Sequence, residues 1–271
     1  MKTVAVITGG AGGMGLASAK LLGQHHTIVI SDVDKDKLAE AKDELTKQDI
    51  TSETVVCDIT DPGAVDSLVQ SAQALGEVRA VIHAAGVSPS MATADQIMKI
   101  NALGTINITQ AFYQIAKEGF VLVNVASMAG HMLPGLLVPS RSFKYANTDQ
   151  DKFLRKLLNK TKLLPSKQRP GIAYAISKTF VIWYSRIVAG QFGEKGARIL
   201  SVSPGSFDTA MGRLEKDAGA EKMLEHAAIK RFGEPVEIAE VLAFCASEKA
   251  SYLTGTDVLC DGGVIAGLKR K

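Results

Sequence analysis

The chain has 271 residues, of which 46% are hydrophobic and 22% are charged, and its formal net charge is +3. This composition is typical of a globular protein with one large core, and so small a charge predicts no nucleic-acid binding. The three cysteines are far apart and form no C-x-x-C motif, which argues against a disulfide scaffold or a metal site and favours a reducing compartment.

Strand patterns and helix patterns alternate along the whole chain without a linker. The predicted strands are residues 3–8, 27–31, 53–57, 78–83, 120–126, 198–202 and 256–260. The predicted helices are residues 13–24, 34–47, 61–75, 94–117, 172–192 and 235–247. This alternation predicts an α/β fold in one domain over residues 1–271, a doubly wound Rossmann-type sheet of seven parallel strands with helices on both faces. The apolar start is too short for a signal peptide and no stretch is long enough to span a membrane, so we expect a cytoplasmic protein.

A glycine-rich segment, Thr8-Gly9-Gly10-Ala11-Gly12-Gly13-Met14-Gly15, separates the first strand from the first helix. Backbone N–H groups and a helix N-terminus at this place can bind a pyrophosphate, and side chains would block its approach. The segment therefore predicts a dinucleotide site, although a simple tight turn has the same composition. It contains no G-K-[ST] sequence, so a nucleoside triphosphate loop is not expected.

Asp32 ends the second predicted strand. A carboxylate at this position accepts hydrogen bonds from the adenosine ribose and repels a 2′-phosphate, which favours NAD over NADP. An alternative is that Asp32 only caps the next helix. Lys35 and Lys37 lie close to Asp32 in sequence, so NADP remains a possible cofactor.

Tyr174 and Lys178 are four residues apart on a predicted helix and therefore face the same way. An ammonium group beside a phenol favours the phenolate and lowers its pKa. Tyr113 and Lys117 have the same spacing, so the pattern alone is weak. Tyr174 differs because it follows a fifth strand that leads to Ser127, at the edge of a parallel sheet where ligands bind.

Apart from residues 131–170, the whole chain resembles the short-chain dehydrogenase/reductase family. The matching residues are Thr8, Gly9, Gly13, Gly15, Asp58, Gly86, Asn101, Ser127, Tyr174, Lys178, Pro204-Gly205, Thr209, Arg231–Pro235 and Asp261–Gly263. The resemblance implies a catalytic tetrad of Asn101, Ser127, Tyr174 and Lys178. It implies that the cofactor contacts Gly9, Gly12, Gly13, Met14, Gly15, Asp32, Asp58, Ile59, Ala85, Gly86, Tyr174, Lys178, Pro204, Gly205, Phe207 and Thr209.

The resemblance also implies a role for each member of the tetrad. Tyr174 is the general acid or base, Lys178 lowers its pKa and binds the nicotinamide ribose, and Ser127 donates to the substrate oxygen. Asn101 is expected to hold a water that links Lys178 to solvent, or else only to mark a break in its helix. The expected reaction is hydride transfer between NAD(H) and a secondary alcohol or ketone.

Two features depart from the family pattern. His83-Ala84-Ala85-Gly86 replaces the usual Asn-Asn-Ala-Gly, so the bonds that join neighbouring strands are either missing or made by His83. In addition, 46 residues separate Ser127 from Tyr174, where a short loop would suffice. A similar enlargement occurs in some bacterial hydroxysteroid dehydrogenase/carbonyl reductases.

The insertion, residues 131–170, is strongly basic: from Arg141 to Arg169 it carries nine basic and two acidic residues, a net charge of +7. One predicted helical face is apolar and the other basic, and Thr148 with Asp151 has the spacing of a capping box. The apolar face comprises Phe153, Leu154, Leu157, Leu158 and Leu164. We expect this helix to pack over the substrate cleft or on the outer face of the Tyr174 helix, and to influence pairing in a homo-oligomer, a dimer or tetramer.

The segments expected to select the substrate are Ser88–Met91, the insertion and residues 206–228. They are rich in apolar side chains: Met128, Met132, Leu133, Leu136, Phe207, Met211, Leu214 and Met223. Such walls favour a bulky hydrophobic substrate, steroid- or terpenoid-like, although ordinary packing also explains them. Two alternatives remain, a 3-oxoacyl thioester reductase and a non-catalytic NAD-binding protein that contacts acidic partners or a membrane surface through its basic insertion.

Overall fold

The computed structural model describes residues 3–135, 138–162, 164–217 and 220–269. Seven parallel strands form one sheet in the order β3-β2-β1-β4-β5-β6-β7. The strands are β1 Thr3–Thr8, β2 Thr27–Asp32, β3 Ser52–Val56, β4 Glu77–His83, β5 Val121–Val125, β6 Arg198–Pro204 and β7 Asp257–Cys260. The strand order reverses between β1 and β4, which is the point where such sheets open a ligand crevice.

The described helices surround this sheet. They are α1 Gly13–Leu22, α2 Lys35–Thr46, α3 Pro62–Leu75, α4 Ala94–Ile97, α5 Gly104–Ile115, α6 Ser140–Phe143, α7 Gln150–Lys162, α8 Arg169–Ile187, α9 Ala189–Glu194, α10 Ala210–Asp217, α11 Pro235–Ala246 and α12 Val264–Leu268. The predicted Rossmann-type fold is therefore confirmed. No helix in the described ranges is long and apolar enough to cross a membrane.

The hydrophobic core has two halves, one on each face of the sheet. Successive residues of β1 alternate between them: Val4 and Val6 pack with α3, α5 and α8, whereas Ala5 and Ile7 pack with α1, α2 and α11. Side chains of a strand point alternately to opposite faces, so a strand covered on both sides must be apolar throughout. This explains the unbroken apolar run that opens the chain.

Two predicted helices are divided in the structure. Residues 94–117 form α4, a π-helical segment at Met98–Leu103, and α5. The predicted helix at 172–192 begins earlier, at Arg169, and ends at Ile187 with Val188 as its C-cap, after which α9 follows as a separate helix. A π-helical turn widens a helix and is frequent at functional sites, and here it contains Asn101.

The insertion packs on the outer side of α8. Phe153 and Leu157 of α7 are fully buried, and the Phe153 and Phe180 rings lie 4.7 Å apart. Arg155 and Lys156, on the opposite side, are exposed. The outer-face alternative is therefore the one observed, with the basic side in solvent. The predicted capping box is wrong, because Asp149 instead accepts the Lys152 N–H at 2.9 Å.

Candidate active site

The glycine segment forms an open cradle at the N-terminus of α1. Gly9 has φ +65°, and a Cβ there would lie 2.7 Å from the Ala85 nitrogen; at Gly15 it would lie 2.2 Å from the Gly9 oxygen. A Cβ on Gly12 would meet nothing within 4 Å, and Gly12 caps α1 without a side-chain hydrogen bond. Backbone is thus packed tightly on one side and left accessible on the other, which fits a pyrophosphate.

The segment after β6 lies beside this cradle. A Cβ on Gly13 would be 3.4 Å from Thr209 Cγ2, so the two loops bound one groove. The Gly205 N–H donates to the Cys260 carbonyl at 2.8 Å, which attaches the segment to the end of β7. Phe207 is only 6% exposed and packs against Gly233, so it belongs to the core rather than to the wall of the cleft.

The two predicted adenosine-binding carboxylates are placed at the ends of β2 and β3. Asp32 Oδ1 accepts the Val33 N–H at 2.8 Å, whereas the cap of α2 is Asp34. The alternative that Asp32 is only a helix cap is therefore wrong. Asp58 Oδ1 accepts from Thr60, and Ile59, next to it, is buried against the position of Gly104.

Ser127 begins a 3-10 turn, Met128–His131, that directly follows β5. A Cβ on Gly130 would lie 2.9 Å from the backbone carbon of Lys178, so the turn approaches α8 as closely as a glycine allows. Thr179 Oγ1 donates to the Gly130 carbonyl at 3.0 Å. These contacts fix Ser127 against the helix that carries Tyr174.

Tyr174 and Lys178 lie together on the buried side of α8. Lys178 is 6% exposed, its Nζ donates to the Val125 carbonyl at 2.9 Å, and it lies 5.7 Å from the centre of the Tyr174 ring. Burial lowers the pKa of Lys178 to about 8. Burial also raises the pKa of Tyr174, while a hydrogen bond with Ser127 opposes that rise. The predicted lowering of this pKa by Lys178 is not found, and the removal of a phenolate from water dominates instead.

Asn101 joins three elements of the site. Its Oδ1 accepts the Val87 N–H at 2.9 Å, and its Nδ2 donates to the Val87 carbonyl at 2.9 Å and to Ser177 Oγ at 3.4 Å. A Cβ on Gly86 would lie 3.0 Å from Asn101 Oδ1 and 3.6 Å from Lys178 Nζ. The helix break expected at Asn101 is present as the π-helical segment, and it brings the amide beside the buried lysine.

His83 makes hydrogen bonds between neighbouring elements, at the place where the family pattern has asparagines. Its Nδ1 lies 2.7 Å from Thr8 Oγ1 and its Nε2 lies 3.2 Å from Thr105 Oγ1. Burial, with the nearby charge of Lys178, lowers the pKa of His83 to about 3, so the ring is neutral. A histidine thus joins β1, β4 and α5 at the carboxyl edge of the sheet.

Sequence reasoning missed a partly buried polar cluster below Ser127. His131 Nε2 lies 2.8 Å from Asp257 Oδ2, and Asp257 Oδ1 accepts from Ser201 at 2.6 Å and from Ser203 at 2.9 Å. The cluster ties the Ser127 turn to β6 and β7. It joins residues 126 positions apart, so no local pattern could have predicted it.

A second missed contact closes the mouth of the site. The Ser90 N–H, after β4, donates to Glu215 Oε1 of α10 at 2.9 Å. Apolar side chains flank it in sequence: Met91 and Leu214 are each 48% exposed. Met132 is also partly exposed, whereas the predicted Leu136 lies outside the described residues. In the described ranges, no group of three or more His, Cys, Asp or Glu side chains could hold a metal ion.

Two family models match this chain. A model described as short chain dehydrogenase matches residues 3–146, and one described as enoyl-(acyl carrier protein) reductase matches residues 160–265. The boundary between the two matches falls within the insertion.

Several curated proteins are similar over nearly their whole length. The short-chain dehydrogenase/reductase bsc3 of Alternaria brassicicola is 30% identical over 265 residues, which cover 96% of this chain and 95% of the relative. The 3-oxoacyl-[acyl-carrier-protein] reductase FabG of Thermotoga maritima is 26% identical, with 97% of each chain covered. The 3beta-hydroxysteroid dehydrogenase 2 of Eggerthella lenta is 25% identical, covering 96% and 93%.

A solved structure supports the same assignment. The crystal structure of gox2181 aligns with a TM-score of 0.77 and 26% identity, covering 98% of this chain and 96% of that one. Members of this family bind nicotinamide cofactors, act on small molecules and commonly form oligomers. The chain therefore belongs to the short-chain dehydrogenase/reductase family and is an oxidoreductase.

Proposed function

We propose that this oxidoreductase transfers a hydride between NAD(H) and a bulky, hydrophobic secondary alcohol or ketone. The observation that carries the proposal is the meeting of Ser127, Tyr174 and Lys178 beside an open glycine cradle at the carboxyl edge of the sheet. A phenol that transfers a proton, next to a groove that holds a dinucleotide, can interconvert an alcohol and a ketone.

In this mechanism Tyr174 removes the proton of the substrate hydroxyl during oxidation and returns it during reduction. Ser127 is held against α8 because its turn packs closely on that helix at Gly130. Its hydroxyl can therefore stabilise charge on the substrate oxygen. Lys178 holds a positive charge beside the phenol below about pH 8. Asn101 is fixed by its bonds to Val87 and donates to Ser177 Oγ, in the residue just before Lys178.

The residues of the groove fit a dinucleotide. When bound, the nicotinamide cofactor accepts or donates the hydride. The N-terminus of α1 would hold its pyrophosphate, Asp32 and Asp58 its adenosine, and Pro204–Thr209 its carboxamide. The site would be completed by Gly9, Gly13, Met14, Gly15, Ile59, Ala85 and Gly86, with Lys178 on the ribose. Phe207 would support it only from the core behind the groove.

Asp32 is the basis for proposing NAD. Its carboxylate ends β2 and would meet a 2′-phosphate, and like charges at short range repel. We expect kcat/KM with NAD to exceed that with NADP at least tenfold, and Asp32→Ala to narrow this ratio. Equal efficiencies with both cofactors in the wild-type protein would contradict the proposal.

The proposed substrate class rests on the apolar side chains exposed around the mouth of the site, Met91, Met132 and Leu214. Similarity to a 3beta-hydroxysteroid dehydrogenase supports it. The test is a panel of secondary alcohols of increasing size, from propan-2-ol to steroids, with NAD reduction followed at 340 nm. We expect kcat/KM to rise with the apolar area of the substrate, and turnover of only the smallest alcohols would contradict this.

A second candidate is reduction of 3-oxoacyl thioesters. Similarity to the Thermotoga maritima reductase supports it, as does the exposed basic side of α7, which suits an acidic carrier. The two candidates differ in cofactor and substrate. Efficient reduction of a 3-oxoacyl thioester with NADPH, without turnover of large alcohols, would favour this second candidate.

The insertion is proposed to affect subunit pairing. It occupies the outer side of α8, and Asn147 accepts hydrogen bonds there from Tyr184 at 2.7 Å and from Gln110 at 3.2 Å. Deleting residues 135–168 should change the mass in solution and the substrate profile. If both stayed unchanged in a folded deletion variant, the insertion would instead be an arm for another partner.

A further inference from the structure

One carboxylate bridges the two segments that face each other across the mouth of the site. Glu215 lies on α10, which follows β6, and its Oε1 accepts the Ser90 N–H at 2.9 Å. Ser90 belongs to the segment that follows β4 and includes Gly86. The contact joins residues 125 positions apart, so it exists only because the fold brings these two segments together.

The two segments that Glu215 joins both border the site. The segment after β4 carries Gly86, where a Cβ would lie 3.6 Å from Lys178 Nζ, and α10 begins directly after Thr209, which bounds the glycine groove. Burial is the main cause of the raised pKa of Tyr174, and the negative charge of Glu215 adds to it. Ser127 and Lys178 also lie beside Tyr174. Glu215 thus adds a negative charge between these two segments, whereas the positively charged Lys178 is buried, with its Nζ donating to the Val125 carbonyl.

Neighbouring cations on α10 do not neutralise Glu215. Arg213 pairs with Asp208 at 2.7 Å, and Lys216 pairs with Glu221 at 3.5 Å. In the part of the chain that the structure describes, Glu215 takes part in no salt bridge. Its only hydrogen-bond partner there is a neutral backbone N–H, which leaves its charge free to act on a substrate.

We propose that Glu215 is a specificity-determining residue, which makes the site select uncharged alcohols and ketones and reject those with a carboxylate or phosphate beside the reacting carbon. The inference rests on the proposed function. Two like charges several ångströms apart in a partly buried site repel strongly enough to change affinity by about tenfold. A 3-oxoacyl thioester is uncharged near its reacting carbon, so Glu215 discriminates against acids under either candidate function.

The test compares a ketone that bears a methyl ester beside the reacting carbon with the corresponding free acid. We expect the wild-type protein to favour the ester, and Glu215→Gln to shrink the ester-to-acid ratio of kcat/KM by about tenfold. Gln can still accept the Ser90 N–H, so this variant removes the charge and keeps the bridge. Glu225→Gln, an equal charge change on an exposed side chain of the 3-10 helix Ala220–Glu225, should leave the ratio within about twofold.

Two further measurements distinguish the effect of the Glu215 charge from the effect of its hydrogen bond to Ser90. Glu215→Ala removes both the charge and the acceptor, so it should shift the ratio as Glu215→Gln does; a shift in the Ala variant alone would overturn the proposal. In Glu215→Gln the acid limb of alcohol oxidation should move to lower pH, because the charge that raises the pKa of Tyr174 is gone. An unmoved ratio in Glu215→Gln, with normal turnover of the ester, would also overturn it.

Affinity measurements test the role of Glu215 independently of the proposed function. Calorimetry with the same ester and acid on Tyr174→Phe measures affinity without turnover, in the presence and absence of Glu215→Gln. If the wild-type protein turned over neither compound while Glu215→Gln still strengthened binding of the acid, the proposed function would fail and the role of Glu215 would stand. Unchanged acid binding would remove that role.

Discussion

Two tyrosine–lysine pairs with the same spacing lie in very different surroundings. On α8, Tyr174 and Lys178 are enclosed at the end of β5, and Lys178 is 6% exposed. At the end of α5, Lys117 lies beyond the last helical residue and pairs with Glu77 at 3.2 Å. The spacing is identical, but only the first pair shares a buried environment with the end of a strand.

In the second pair, Tyr113 and Lys117, the tyrosine contacts a different lysine and has a structural role. Lys195, not Lys117, lies 4.2 Å from the centre of the Tyr113 ring, and its Nζ donates to the Tyr113 carbonyl at 2.7 Å. A cation at the C-terminus of a helix stabilises the terminal carbonyls, and its position over an aromatic face adds to this. A tyrosine and a lysine four residues apart can therefore act together on a substrate only where the fold buries both beside a ligand groove.

The largest expected effect separates the two tyrosines. Tyr174→Phe keeps the ring and removes the transferable proton, so we expect kcat to fall by about 10³-fold or more, with NAD affinity nearly unchanged. Tyr113→Phe should change kcat less than about twofold. Steady-state kinetics measure kcat and calorimetry measures NAD affinity. An inactive Tyr113→Phe variant would contradict the placement of the active site at Tyr174.

The two lysines give the next largest difference. Lys178→Met should lower kcat about 10²-fold, whereas Lys117→Met should not. Lys178 has a pKa of about 8 in the folded protein against 10.5 ordinarily, so the unfolded state binds more protons between these values. Relative to Lys178→Met, the wild-type free energy of unfolding should therefore rise between pH 8 and 10.5, by roughly 3 kcal/mol.

Denaturant titrations of the wild-type protein and Lys178→Met at pH 7 and pH 10 measure this difference. A wild-type stability that fell relative to the variant over this range would contradict the burial of a charged lysine. The comparison cancels the other groups that titrate in the same window, since both proteins contain them.

A smaller effect is expected from the polar cluster below Ser127. Asp257→Asn weakens the contact to His131 and so loosens the turn that carries Ser127, which should lower kcat about tenfold. NAD affinity should stay unchanged, because the cluster lies below the turn and not in the glycine cradle. Ser201→Ala, which removes one of the hydroxyl donors to Asp257, is the milder control, and equal losses in both variants would point to general destabilisation.

Regular local patterns carried most of the fold prediction. The apolar run of β1 and the glycine segment predicted strand, turn and helix, because burial on both faces and a close backbone approach each demand particular residue types. Asp34 and Asp61 cap α2 and α3 at the predicted starts. The order of Ser127, Tyr174 and Lys178 then located the candidate site.

The remaining features depend on contacts that no local pattern contains. The π-helical turn at Asn101 interrupts a sequence that continues with helical periodicity, and its amide bonds Val87 from a different element. The bridge from Ser90 to Glu215 and the link from His131 to Asp257 each join residues more than 100 positions apart. Segments α10 and α12, each fewer than ten residues long, were not predicted because short helices are fixed by packing.

In the proposed mechanism, Tyr174 serves hydride transfer from a secondary alcohol to NAD. The most direct measurement uses an alcohol deuterated at its carbinol carbon and detects deuterium in the reduced cofactor by mass spectrometry. We expect one deuterium per turnover for the wild-type protein and for Tyr113→Phe, and none for Tyr174→Phe, although that variant still binds NAD. Deuterium transfer by Tyr174→Phe at the wild-type rate, or its loss in Tyr113→Phe alone, would contradict the role proposed for Tyr174.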